Sequence, residues 1–268
     1  MKKVLAIFDG GQYSNGVMEL SQHINDNQPI LLVGSFLPGI DFTGMSEMYG
    51  FGALDIPVHI RADEEVVDQN IERFTNYCIH HHIEYRVHKD LSLDAYPIFK
   101  KESRFADLLL IGSQEFLGQL ALNIPAENLR DALHDTECPV IVVPEYKNEP
   151  ENIVLAYDGT ASSVFAIKMF CYLFPELCKK PTILLHVNSN RSMPSSSAIQ
   201  LLLRAHYPNF QELVMETMPL FEDYIMKVPS PILITGGFGR SGISSAFRSS
   251  FASKAMSLFR FPIFIAHL

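Results

Sequence analysis

Two stretches far apart in the chain match each other residue type for residue type. VLAIFDG, residues 4–10, and IVLAYDG, residues 153–159, are each an apolar run of strand length, an aromatic residue and then Asp-Gly. Two further pairs follow in the same order: DLLLIGS (107–113) with PILITGG (231–237), and CPVIVVP (138–144) with FPIFIAHL (261–268). Strand and turn signals that recur in one order constrain the fold to two copies of one unit. The Pro- and Asn-containing stretch KNEPEN, 147–152, is the natural joint. We therefore expect one domain over residues 1–147 and a second over 148–268, the second being shorter between its first strand and its glycine turn.

Within the first copy, VLAIF, PILLVGSF, IEYRVH, DLLLIG and PVIVV are strand-length runs separated by segments long enough for helices. The clearest helix is DEEVVDQNIERFTNYCIHHH, 63–82, with acids in its first turn and Val67, Ile71, Phe74 and Cys78 recurring at helical spacing. The second copy repeats the alternation with IVLAY, TILLHV, ELVMET, PILIT and PIFIAH. Strands alternating with helices imply a parallel sheet covered on both faces, so the expected class is α/β, with two repeated five-stranded parallel-sheet units.

Hydrophobic residues make up 47% of the 268 positions and charged residues 19%, the composition of a globular protein with a sizeable core. The formal net charge of -9, without a Lys/Arg cluster, argues against a sequence-independent grip on nucleic acid or an anionic membrane. The opening MKKVLAIFDGG reads as a first strand rather than a secretory signal, since Asp9 interrupts the apolar run, and no run has the length of a membrane span. Cys78, Cys138, Cys171 and Cys178 form no C-x-x-C pair, and are expected as buried free thiols of a cytoplasmic protein.

GGFGRSGISSAFRSS, 236–250, contains a literal G-x-G-x-x-G at Gly237, Gly239 and Gly242. A dinucleotide fingerprint also needs an acidic residue about 20 positions on, and no acid follows Gly242. The glycines call for another explanation.

Two consecutive α/β units that open with apolar strand-Asp-Gly and close with strand, glycine turn, helix and a Pro-led last strand resemble a tandem universal stress protein. YDGT, LLHV and GGFGRSG together carry the resemblance in the second copy. It implies the fold of the adenine-nucleotide α-hydrolases, strand order 3-2-1-4-5, and a turn of the form G-x2-G-x9-G-[S/T] that holds an adenine nucleotide such as ATP, with or without Mg2+. Gly236 and Gly239 match its first two glycines, Arg240 its commonly basic next place and Ser250 its final hydroxyl; Ser249 stands where the third glycine belongs. Such a turn brings backbone N–H groups and a helix N-terminus to a phosphate. The resemblance also places Ala156, Asp158 and Val187 beside the nucleoside, Val187 through its backbone. Asp158 equally reads as a turn residue feeding the next helix, with Ser162 or Ser163 as its cap, and His186 reads as a satisfied core histidine. In the first copy Gly112 aligns with Gly236, but Glu115 replaces Gly239, and Pro125 and Ala126 replace Ser249 and Ser250. A carboxylate there repels phosphate, so the first copy is expected to be structural.

The resemblance further implies a stress-response role with an unidentified protein partner, slow or absent hydrolysis, and an internal pseudo-dimer in which the last strands, 139–144 and 262–268, pair. The alternative is an interaction module of the same fold that binds no nucleotide. A third reading, hydrolase chemistry at DGGQYS (9–14), rests on a faint likeness to the pyrophosphatase loop of ATP-dependent ligases, with Asp9 and Tyr13 departing from its pattern. His80, His81 and His82 point in different directions on a helix and suit a solvated last turn better than a metal site. The segment 36–57, rich in Phe, Met and Gly, is a flap, a partner surface or a self-packed insertion. No catalytic constellation can be placed.

Overall fold

The computed structural model describes residues 1–9, 12–37, 64–90, 100–113, 136–145, 149–236 and 261–267. The chain divides into two compact units, Met1–Lys147 and Asn148–Leu268.

The first unit runs β1 (Lys2–Asp9), α1 (Asn15–Asn27), β2 (Ile30–Leu37), α2 (Glu64–His80), β3 (Glu84–Lys89), β4 (Leu108–Gly112) and β5 (Val140–Val143). All its pairings are parallel, in the order β3-β2-β1-β4-β5, with Val4 of β1 between Leu32 and Leu108. Every residue of β4 is buried, as a strand covered on both faces requires, whereas β3 exposes Glu84, Arg86 and His88. Phe8 stacks on Phe36 at 4.9 Å between centroids, and Phe74 meets both edge-on at 5.8 and 5.7 Å. Each of these fully buried rings contributes about 1.5–3 kcal/mol of burial free energy. Phe36 and Leu37 are thus strand residues, so the first two positions of the expected 36–57 segment are the last two of β2; its remainder, 38–57, lies outside the described residues.

Helix α2 ends earlier than its periodicity predicts, for a backbone reason. The Ile83 N–H donates to Cys78 O at 2.9 Å and the His82 N–H to Ile79 O at 3.3 Å, while His82 takes φ 54° and Ile83 is buried. This is a Schellman cap, with histidine in the position that usually takes glycine. The three adjacent histidines therefore serve a helix end, His80 and His81 in edge-on ring contact. Among the described residues no group of His, Cys, Asp and Glu is arranged to hold a metal ion.

The second unit runs β6 (Asn152–Ala156), α3 (Ala161–Leu173), a 3-10 turn (Leu177–Lys179), β7 (Thr182–Val187), α4 (Ser196–His206), β8 (Phe210–Met215), α5 (Met218–Ile225), β9 (Pro231–Gly236) and β10 (Ile263–Ala266). Its strands are also parallel, in the order β8-β7-β6-β9-β10. Taken from the first strand of each unit, both orders are 3-2-1-4-5. Helix α3 packs over β9 and β10, with Phe170 edge-on to Phe264 at 5.2 Å. Tyr207, fully buried, donates its hydroxyl to Ile167 O at 2.7 Å, joining the end of α4 to α3; burial pushes its phenol well above the ordinary value.

Strand β8 lies two residues earlier than the run ELVMET suggests. Its pairing with β7 begins at Thr182↔Phe210 and ends at Val187↔Met215, and Thr217 then becomes the N-cap of α5, with a proline in that helix's first turn. The four cysteines are free, and Cys78, Cys171 and Cys178 are buried. Among the described residues no helix is long and apolar enough to cross a membrane.

Candidate functional site

In the second unit β6 lies between β7 and β9, and the chain order reverses there: β6 leads outward to β7 and β8 on one side, while β9 returns on the other. Open parallel sheets leave their ligand crevice at the carboxyl ends of strands flanking such a reversal. Ala156 ends β6, paired with Leu185 and Thr235; Val187 ends β7; Gly236 ends β9. Asp158 follows β6 by two residues. Four of the residues singled out from sequence therefore lie at the ends of three adjoining strands. Gly239, Arg240, Ser249 and Ser250 lie outside the described residues, as do Glu115, Pro125 and Ala126 of the first unit.

The turn after β6 is built by Asp158 and Thr160. The Asp158 Oδ1 accepts from the Thr160 N–H at 2.9 Å and from the Thr160 hydroxyl at 2.6 Å. Thr160 is the N-cap of α3, its Oγ1 accepting from the Ser163 N–H at 3.3 Å, while the Ser163 hydroxyl returns a bond to Thr160 O at 3.0 Å. The cap is thus Thr160 rather than Ser162 or Ser163, because the Asp-Gly-Thr turn brings residue 160, not 162, to the helix mouth. Gly159 makes that turn possible with φ +81°, a value side chains resist. Both bonds to Asp158 fall on Oδ1. Among the described residues Oδ2 receives none, and the side chain is half-buried. A carboxylate oxygen left in this state accepts hydroxyl or amine donors and repels phosphate.

On the β9 side, a methyl group at Gly236 would lie 2.6 Å from the Ser162 carbonyl carbon and the Ser163 nitrogen. The glycine therefore lets the first turn of α3 press against the end of β9, and this brings the positive end of the helix to the crevice. On the β7 side, His186 is buried and its Nδ1 lies 2.7 Å from Tyr157 O. A carbonyl only accepts, so Nδ1 carries the proton, and His186 is a satisfied core residue that props the backbone beside Asp158.

Tyr157, Gly159 and Thr160 belong to the YDGT motif but had no individual role in the sequence reading, and Pro194 was not singled out at all; all four form the site. Tyr157 is buried and its hydroxyl donates to Pro194 O at 2.9 Å. Burial raises its pKa above the ordinary phenol value, against the hydrogen bond from Ser195 and with some help from the Asp158 charge. The Pro194 ring rests on Gly159, where an added methyl would meet Cγ at 2.8 Å. Arg191 and Ser195 take φ 51° and 48°, left-handed values that cost a non-glycine residue about 1–2 kcal/mol each.

The corresponding place in the first unit differs. Ser14 caps α1, accepting from the Val17 N–H at 3.3 Å and donating to Glu145 at 3.0 Å. Tyr13 stacks on Phe8 and lies beneath the Arg73 guanidinium, 4.1 Å from its ring centroid. Residues 12–14 thus serve as a strand-to-helix connection in which the Tyr13 ring and the Ser14 hydroxyl are engaged within the unit. Gly10 and Gly11 of DGGQYS lie outside the described residues, as does the side chain of Asp9.

No family model matches the sequence, and no curated protein matches it. Among solved structures, the fold is similar to that of a universal stress protein from Archaeoglobus fulgidus DSM 4304, with a TM-score of 0.68, 13% sequence identity, and coverage of 99% of this chain and 96% of that chain. At that identity the likeness is one of fold: the chain has the α/β fold seen in that universal stress protein.

Proposed function

We propose that the second unit binds an adenine nucleotide at the carboxyl ends of β6, β7 and β9, and that the protein is a universal stress protein in function, its nucleotide state altering the surface it offers to a protein partner. The observation that carries this reading is Asp158 Oδ2. It is an acceptor on a partly buried side chain, with no bond among the described residues, at the reversal point of the sheet, and it suits a ribose hydroxyl. Phosphates, repelled by Asp158, would lie toward Gly236, Gly239 and Arg240, with Ser249 and Ser250 adding hydroxyls. Val187 would meet the base through its backbone, and Ala156 would underlie the nucleoside.

A second reading has its own support. Gly236 is required by the packing of Ser162 and Ser163, and Asp158 by the Thr160 turn, so both residues have structural reasons to be what they are. That favours an interaction module of the same fold without nucleotide.

Equilibrium binding of ATP to the purified protein, with and without Mg2+, decides between them. Saturable binding abolished by Gly239→Glu, which on this reading would set a carboxylate against the phosphates, supports the first. Absence of binding by the parent protein supports the second. Asp158→Asn sharpens the test: an amide oxygen still accepts from Thr160, so the turn is kept while the charge facing the ligand is lost.

A further inference from the structure

Residues 188–195 leave the end of β7 and come back over the turn that follows β6 before α4 begins. Their course is fixed by three kinds of contact. Asn188 organises the first part, its Oδ1 accepting from the Asn190 N–H at 2.8 Å, its backbone carbonyl accepting from the Arg191 N–H at 3.0 Å, and its amide donating to Ser192 O at 3.2 Å. Arg191 reaches outward to Glu216, just past β8, its Nε donating to Oε1 at 2.7 Å. Tyr157 holds the last part through the bond to Pro194 O, with the Pro194 ring seated on Gly159.

The two outer clasps are unequal. Arg191 and Glu216 have side-chain exposures of 73% and 46%, and an ion pair in that setting is screened and contributes little. Tyr157 is a buried residue whose ring is fixed, so its part-buried bond to Pro194 O is made by a donor already held in place and contributes more than the exposed ion pair. Opposing both clasps, Arg191 and Ser195 are held at positive φ, a conformation that persists only where the surroundings impose it. The segment also joins two candidate ligand positions, starting just after Val187 and resting on Gly159 beside Asp158.

We propose that residues 188–195 are a strap latched over the carboxyl end of β6, that the Tyr157 hydroxyl is the latch, and that ligand entry beside Asp158 requires the latch to open. The identity of that ligand rests on the nucleotide reading above; the latch itself does not.

Hydrogen exchange of the ligand-free full chain tests the latch directly. In Tyr157→Phe the ring stays and only the hydroxyl is lost, and the amides of Asn190 and Arg191 should exchange roughly 2- to 10-fold faster than in the parent, the effect of one hydrogen bond. Pro194→Gly, which lifts the ring from Gly159, should accelerate the same amides. Unchanged strap exchange in both variants overturns the latch. Stopped-flow mixing with ATP then reads the gating: association should be faster in Tyr157→Phe, and an unchanged rate alongside accelerated exchange overturns the claim that the strap controls entry. If the parent binds no ATP at any concentration, the nucleotide reading fails by itself, and the exchange comparison still upholds or overturns the latch.

Discussion

Gly236→Ala separates the packing reason for this glycine from a ligand reason. Gly236 does not have a positive φ, so alanine suffers no backbone penalty there, and the cost is steric alone. The added methyl would sit 2.6 Å from the Ser162 carbonyl carbon and the Ser163 nitrogen, and 2.9 Å from Ser162 O. All three atoms are backbone, so no rotamer change relieves the contact, and the first turn of α3 must retreat. That turn is tied by the Thr160 cap and by the packing of Phe170 on Phe264 behind it. Overpacking of this kind costs about 1–3 kcal/mol. At roughly 4 °C per kcal/mol for a unit of this size, the melting transition of the ligand-free protein should fall by about 4–12 °C. Calorimetry without nucleotide, supported by urea unfolding, reads this directly. A variant that melts within a degree of the parent would refute the packing argument, and would leave close approach of a ligand as the reason for glycine at this place.

Three other perturbations follow from the same contacts. Tyr207→Phe removes a fully buried hydroxyl from Ile167 O and should lower unfolding free energy by about 1–2 kcal/mol in urea titrations, with little change in slope. Thr160→Ala strips the cap from α3 and the hydroxyl bond to Asp158, while the backbone N–H bond to Asp158 stays; a loss of about 1–2 kcal/mol is expected, largely restored in Thr160→Ser. Burial holds the thiols of Cys78, Cys138 and Cys178 up at about 12 and that of Cys171 at about 11, against an ordinary 9.0, so the folded chain should react slowly with a thiol reagent at pH 8 and all four should react once denaturant is added. Between pH 9 and these raised values the folded form keeps protons that the unfolded form has released, so the thiols' contribution is complete below pH 9 and is lost as pH rises through that window, which alkaline unfolding curves should show.

The strands were the most legible part of this chain because central parallel strands are buried on both faces and read as unbroken apolar runs, as in LLLIG and TILLHV. Strand β8 was placed less well because it is more exposed, and its start is set by pairing with Thr182 rather than by its own hydrophobicity. Helix α2 was legible in its apolar spacing, but its end was not: a Schellman turn closed by histidine lacks the glycine that would announce it. At the site, Asp158, Val187 and Gly236 came from the family resemblance, which could be aligned there because each ends or follows an apolar run. Thr160 was passed over for two serines on the helix, since cap preference alone does not say which hydroxyl the turn delivers. Nothing in the sequence pointed to Pro194, because the contact joining it to Tyr157 and Gly159 crosses between two loops that share no periodicity.

In both units a glycine relieves crowding at the start of the helix that follows the first strand, through different contacts, and this bears on what their glycines mean. In the second unit the glycine is Gly236 at the end of β9, facing Ser162 and Ser163; in the first it is Gly16 on the helix itself, where a methyl would lie 2.1 Å from the carbonyl oxygen of Pro144, the residue after β5. A glycine at such a junction therefore has a packing reason before any ligand is considered. What differs is the polar chemistry left over once packing is satisfied. In the first unit the Ser14 hydroxyl is spent on the Val17 amide and on Glu145. In the second, Thr160 does the capping, and its two bonds to Asp158 take one carboxylate oxygen and leave the other. The case for a ligand in the second unit thus rests less on its glycines than on that remaining acceptor.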